Sequence, residues 1–146
     1  QLDLLKKLFG QVVIPEAVFY ELTSNPLFSD EAHIVENVDF ISVDKVENTQ
    51  AVQILRRTTG LDAGESEAIM LATEKKADTL LIDEKRGRKV AKQLNLAHTG
   101  TIGILIRANI EKILSADEIK ECIKKLKQTN IRIEERLFEL LLEKIS

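Results

Sequence analysis

Leu61-Asp62-Ala63-Gly64-Glu65-Ser66-Glu67-Ala68-Ile69-Met70-Leu71-Ala72 decides how the rest of the chain is read, together with Thr79-Leu80-Leu81-Ile82-Asp83-Glu84 just after it. Asp62 and Glu65 fit the N-cap and N3 positions of a capping box, so a helix starts at Ala63 and its periodicity runs to Lys76. Residues 79–82 form a short apolar run, as expected of a strand buried on both faces, and that strand stops on two acids. In an α/β fold, a helix N-terminus and a strand C-terminus meet at the sheet edge where ligands bind. Carboxylates gathered there suit a hard divalent cation such as Mg²⁺.

Outward from this segment, the same alternation continues. Residues 2–9 read as a helix ending near Gly10, then Val12–Ile14 as a strand, with Pro15 at the first position of the next helix. That helix buries Val18, Phe19 and Leu22 and ends at Asn25-Pro26. A short helix follows over 29–36, a strand over 38–43, and a helix over 46–57 that offers Val46, Val52, Ile54 and Leu55 to the core. Beyond Asp83 come a basic helix at 84–94, a very short strand at 96–98, and helices near 101–110, 116–128 and 133–145. Strands alternating with helices predict an α/β fold with a parallel sheet in three layers, α/β/α, carrying extra C-terminal helices.

Bulk properties narrow the function. The 146 residues suit a single domain, 1–146. With 44% apolar and only 4% aromatic residues, the core is aliphatic. A net charge of −3 provides no footprint for passive, tight nucleic-acid binding, though local basic loops can still hold phosphates. The single Cys122 excludes an internal disulfide and a cysteine-based zinc site, and its spacing from Ile119, Ile123 and Leu126 makes it a packed core thiol. No apolar run approaches the ~20 residues of a membrane span, and no secretory signal is readable, so a cytoplasmic setting is expected.

Each acid has a structural and a functional reading. Helical phase puts Glu65 on the face of Ala68, Ile69 and Ala72, turned to the interior or its rim, and Glu67 with Glu74 toward solvent. Glu65 is therefore a cap, a site residue, or both. Asp83 caps the following helix or belongs to the site, and Glu84 faces water. Glu21 lies at the border of an apolar face, and periodicity alone makes it a surface acid. Arg86 and Arg88, with Lys85 and Lys89, form either a solvated face or a phosphate-binding cluster. His33 and His98 lack the neighbours of a zinc site, and neither the serines nor Cys122 has a His placed as a base.

Four runs together resemble the PIN-domain proteins: Val13-Ile14-Pro15 with Val18 and Glu21-Leu22; Leu61-Asp62 with Gly64-Glu65 and Glu67-Ala68-Ile69; Leu80-Leu81-Ile82-Asp83-Glu84 with Arg86 and Arg88; and Thr99-Gly100-Thr101-Ile102-Gly103-Ile104-Leu105. The resemblance spans nearly the whole chain and is narrower toward the single-domain prokaryotic branch related to VapC toxins, which the closing Ile131-Arg132-Ile133 and its amphipathic helix also resemble. It implies a ribonuclease that uses Mg²⁺ or Mn²⁺ held by acids, with Glu21, Glu65 and Asp83 at the matching positions and Glu67 and Glu84 as neighbouring alternatives. Arg86 or Arg88 would position RNA. It also implies a homodimer and makes a small antitoxin protein a plausible partner. The family's first acid is an Asp ending a central strand that precedes the helix matching residues 2–9, so the chain is expected to continue upstream of Gln1. A PIN-like module that binds nucleic acid or assembles without cleaving it is the alternative. A receiver-like signalling domain fits poorly, because no acidic pair ends an early strand.

Overall fold

The computed structural model describes residues 2–128 and 135–145, with the side chains of Leu2, Glu31 and Glu135 outside that description. The chain divides into two compact units, one of residues 1–80 with 85–98 and the other of residues 81–84 with 99–146.

In the larger unit, helix α1 (Leu2–Phe9) stops at Gly10, whose φ of +75° is one that glycine adopts without a Cβ clash. Strand β1 (Val12–Pro15) pairs in parallel with β2 (Ile41–Asp44), with Val12 opposite Ile41 and Pro15 opposite Asp44. Pro15 thus ends a strand and N-caps α2 (Glu16–Ser24), one residue earlier than the predicted first helical position. Its backbone at φ −75° and ψ 160° is compatible with both the proline ring and an extended chain. Val18, Phe19 and Leu22 are half-buried rather than enclosed. Asn25 ends α2, and its side chain accepts from Leu27 N at 3.0 Å to open a 3-10 turn at Pro26–Phe28. Helix α3 (Ser29–Asn37) follows, and Val38 closes it by donating to Ile34 O. That role in helix termination is why β2 begins at Ile41 and not at Val38.

Helix α4 (Thr49–Thr59) also starts later than periodicity suggested. Asn48 is its N-cap, accepting from Ala51 N at 3.0 Å, and Gly60 ends it in the left-handed region. Val46 and Val52 are buried with Leu71, whereas Ile54 is 62% exposed, contrary to its expected place in the core. Helix α5 (Ala63–Lys75) packs against α2, α4 and β1. Ile69, at 0% exposure, is its most enclosed aliphatic side chain. Helix α6 (Lys85–Gln93) packs on α5, and its Gly87, Val90 and Ala91 are buried.

The second pair of strands is shorter than the apolar run implied: β3 is Leu80–Leu81 and β4 is His98–Thr99. Leu80 N donates to Ala97 O, and Ile82 N to Thr99 O, so the bonds advance in the same direction along both segments. Leu80 and Ile82 are buried and Leu81 half-buried. Among the described residues the strands pair two by two, in a helix-rich α/β architecture with small parallel sheets.

The smaller unit contains α7 (Thr101–Ile110), α8 (Ala116–Lys127) and α9 (Glu135–Lys144), with α7 packed on both of the others. Its core is Ile102, Leu105, Ala108, Ile119, Ile123, Phe138 and Leu141. Ser115 and Glu118 form a capping box that starts α8. Cys122 is half-buried beside the enclosed Ile119 and Ile123, so it is a rim thiol rather than a core one. The run Ile131–Ile133 and the predicted start of the last helix at 133 lie outside the described residues. Among the described residues no helix is long and apolar enough to cross a membrane.

Candidate functional site

The start of α5 is built as its sequence implies. Glu65 N donates to Asp62 Oδ1 at 2.8 Å and Asp62 N to Glu65 Oε1 at 3.4 Å, closing the capping box. Glu65 is half-buried, and its carboxylate is oriented by the helix it helps to start. Between these two acids lies the buried Gly64. A Cβ there would stand 3.3 Å from Val18 Cγ2, 3.6 Å from Asp62 Oδ1 and 3.8 Å from Glu21 Oε2. The bare backbone at Gly64 therefore lets α2 approach α5 closely, and it brings the exposed Glu21 carboxylate to the N-terminus of α5. Periodicity placed Glu21 on the surface, which is correct, but the proximity to α5 arises only from packing between two helices.

Glu67 corrects the helical-phase reading. It is half-buried rather than turned to solvent, and its Oε1 accepts from Ala17 N at 3.0 Å. The N-terminus of α2 has no side-chain cap of its own, so Glu67 satisfies a donor that Pro15 and Glu16 leave open. Glu74 does the same for α4, accepting from Glu47 N at 2.9 Å and Asn48 N at 3.0 Å. These two backbone bonds hold the Glu74 carboxyl below the ordinary glutamate range, with Lys75 adding a smaller pull in the same direction against the opposing effect of burial.

A lowered folded-state pKa contributes stability that is complete above the ordinary glutamate value and is lost as pH falls through the lowered one. Thermal melts of the protein and of Glu74→Gln across the acid range should therefore converge as pH falls, with the variant showing the flatter profile. Parallel profiles would show that Glu74 has no part in acid stability.

Asp83 is a cap, but not for the helix that follows it in sequence. Its Oδ1 accepts from Thr101 N at 2.7 Å and its Oδ2 from Thr101 Oγ1 at 2.6 Å, which anchors the start of α7. Gly100, the N-cap residue, offers no side chain for this purpose. A Cβ on Gly100 would stand 2.6 Å from Asp83 Oδ1 and 3.3 Å from Ile82 O, so glycine is required there by closeness. Thr101 is the partner that single-residue reasoning missed, although Thr99-Gly100-Thr101 was the signal available. Glu84 is exposed.

The two arginines separate. Arg86 Nη1 donates to Thr59 O at 3.0 Å, and the same nitrogen stands 2.7 Å from where a Cβ on Gly60 would be. Arg86 thus closes the C-terminus of α4, where an orphan carbonyl and the negative end of the helix dipole favour a cation. This is a structural duty the basic-cluster reading did not include. Arg88 is half-buried on α6. His98 Nδ1 lies 2.9 Å from Leu96 O, and His33 Nδ1 lies 3.4 Å from Asn37 Nδ2.

The Mg²⁺ or Mn²⁺ implied by resemblance can be tested against these residues. Their chemistry suits it, since all are carboxylate oxygen donors, and the close approach at Gly64 brings the Glu21 and Asp62 carboxylates to the same helix start. As they stand, however, no group of three or more His, Cys, Asp or Glu side chains among the described residues is gathered closely enough to hold a metal ion.

Comparison with known proteins adds the family. The PIN domain family model matches residues 1–146. Searches with the chain found no matching curated protein and no matching solved structure. The short parallel strands flanked by helices, the acid-led start of α5 and the Asp83 strand end are accounted for together: the chain belongs to the PIN-domain family.

Proposed function

We propose that the protein is a metal-dependent endoribonuclease that hydrolyses RNA phosphodiester bonds, with Glu21, Glu65 and Asp83 as the carboxylates that would hold Mg²⁺ or Mn²⁺. Family membership supports a nuclease-like function in general. The observation that carries the finer reading is Glu21: an exposed acid brought to the N-terminus of α5, its Oε2 3.8 Å from where a Cβ on Gly64 would be. The bound ion would make its water a better nucleophile near neutral pH and offset charge building on the attacked phosphate. Glu65 is oriented by its capping box and Asp83 by Thr101, so neither carboxylate has to be ordered when a ligand arrives. Glu67 and Glu84 are the neighbouring alternatives. Arg88 would contact a substrate phosphate, with Arg86 restricted by its bond to Thr59.

The same reading places the chain in the VapC-related branch, acting in the cytoplasm as a homodimer with a small antitoxin protein as partner. A dimer would set two copies of the same basic helix α6 along one RNA strand, which strengthens a grip that one copy makes weakly. A second reading rests on a specific observation. Glu65, Glu67 and Asp83 all accept backbone hydrogen bonds at helix starts, which suits a PIN-like module that binds nucleic acid without cleaving it.

The test is cleavage of labelled single-stranded RNA by the full-length protein in Mg²⁺, in Mn²⁺ and in EDTA. Cleavage that disappears in EDTA is expected. Cleavage that persists there would remove the metal from the proposal, and binding without cleavage in either metal would establish the second reading.

A further inference from the structure

Helix α6 has the sequence Lys85-Arg86-Gly87-Arg88-Lys89-Val90-Ala91-Lys92-Gln93, with five cations and no acid. Its faces are sharply divided. Gly87, Val90 and Ala91 are buried, and Arg86 turns aside to Thr59 O. At about 100° per residue, Lys85, Arg88, Lys89 and Lys92 share an arc of about 100° on the side away from the buried residues. The three lysines are exposed and Arg88 is half-buried. Among the described residues none of the four has an acidic partner, whereas Lys75, Arg107 and Lys124 elsewhere in the chain each do.

Four like charges on one short helix repel one another, and the stripe offers nothing intramolecular in return. It rises about 10 Å from Lys85 to Lys92, enough to meet more than one phosphate of an extended strand. We infer that this stripe is a phosphate-backbone-binding surface for single-stranded RNA, with Lys85, Arg88, Lys89 and Lys92 as its contacts and Arg86 excluded from them. The inference rests on the proposed RNA substrate and names the surface that would grip it. A membrane fits less well: the apolar side of α6 is already buried inside the protein, so the helix has nothing to insert between lipids. Phosphate contacts of this kind carry no base specificity, so the stripe sets affinity and leaves sequence choice to other residues.

The experiment measures binding of a fluorescein-labelled single-stranded RNA oligonucleotide by anisotropy, in EDTA so that cleavage does not interfere, over a series of salt concentrations. Replacing Lys85, Lys89 and Lys92 together with glutamine should weaken binding roughly tenfold or more at low salt. It should also reduce the slope of log K against log salt by about two, whatever the RNA sequence. Arg86→Lys is the contrast: it should lower thermal stability and leave the salt slope unchanged. Circular dichroism verifies that the glutamine variant is folded, as its exposed positions lead one to expect. An unchanged slope in the triple variant would overturn the inference. So would binding of a polyglutamate peptide or anionic vesicles through these lysines with no binding of RNA. If the parent protein binds RNA through the stripe yet never cleaves it, the nuclease reading fails while this surface stands. If the triple variant binds and cleaves like the parent, only the surface fails.

Discussion

Asp83→Ala is expected to lower the unfolding free energy by about 2–3 kcal/mol, and Asp83→Asn by less than half of that. Asp83 connects the end of β3 to the start of α7 through two bonds to one residue, Thr101 N and Thr101 Oγ1. The first amides of a helix have no partner within it, and Gly100 cannot supply one. Alanine removes the cap and leaves the half-buried Thr101 amide and hydroxyl without their acceptor. Asparagine keeps an amide oxygen for Thr101 N, and its NH₂ can donate to the Thr101 hydroxyl, so only the charge is lost. Urea denaturation followed by circular dichroism measures both variants. Equal losses would mean that charge at the helix start matters more than the acceptor geometry, and a loss below about 0.5 kcal/mol for alanine would show that the cap contributes little. The asparagine variant also carries the functional question: a folded Asp83→Asn protein that cleaves RNA as the parent does would exclude Asp83 from metal binding.

The acids that drew attention to this chain proved to share a structural vocabulary. Glu65 closes the start of its own helix, Glu67 that of α2, Glu74 that of α4 and Asp83 that of α7. Sequence alone revealed the first because a capping box is local, with both partners within three residues. The others span 50, 26 or 27, and 18 residues, where helical phase has no information. Phase sent Glu67 to solvent because it refers only to the axis of α5, and the N-terminus of α2 happens to occupy that side. The same limit applies to Ile54, whose apolar character suggests burial although no neighbouring element covers it. Element boundaries shifted for a related reason: Val38, read as the start of a strand, and Val46, read as the start of a helix, lie in connections, one closing α3 and the other filling the core ahead of α4. Helices α5 and α8 were the most legible, since Asp62 with Glu65 and Ser115 with Glu118 are capping boxes whose partners lie three residues apart.

Glu21 and Glu67 provide the sharpest separation between the structural and catalytic uses of these acids. Glu21 is exposed, lies on a helix that has no buried residue, and caps nothing among the described residues. Glu21→Gln preserves shape and removes the charge, so the melting temperature should stay within about 1 °C of the parent. If the proposed site is correct, metal-dependent RNA cleavage should fall about 100-fold or more, because an uncharged amide is a far weaker ligand for a hard cation. Glu67→Ala should behave in the opposite sense. Loss of the bond to Ala17 N leaves a half-buried amide at the start of α2, costing about 1–2 kcal/mol, while cleavage per folded molecule stays near the parent value. Melting curves and single-turnover cleavage on both variants decide between the assignments. A Glu67→Ala protein that is stable but inactive would move the ligand from Glu65 to Glu67. A Glu21→Gln protein that cleaves normally would leave α2 with a role in packing alone, and would reduce Gly64 to the contact that lets α2 and α5 meet.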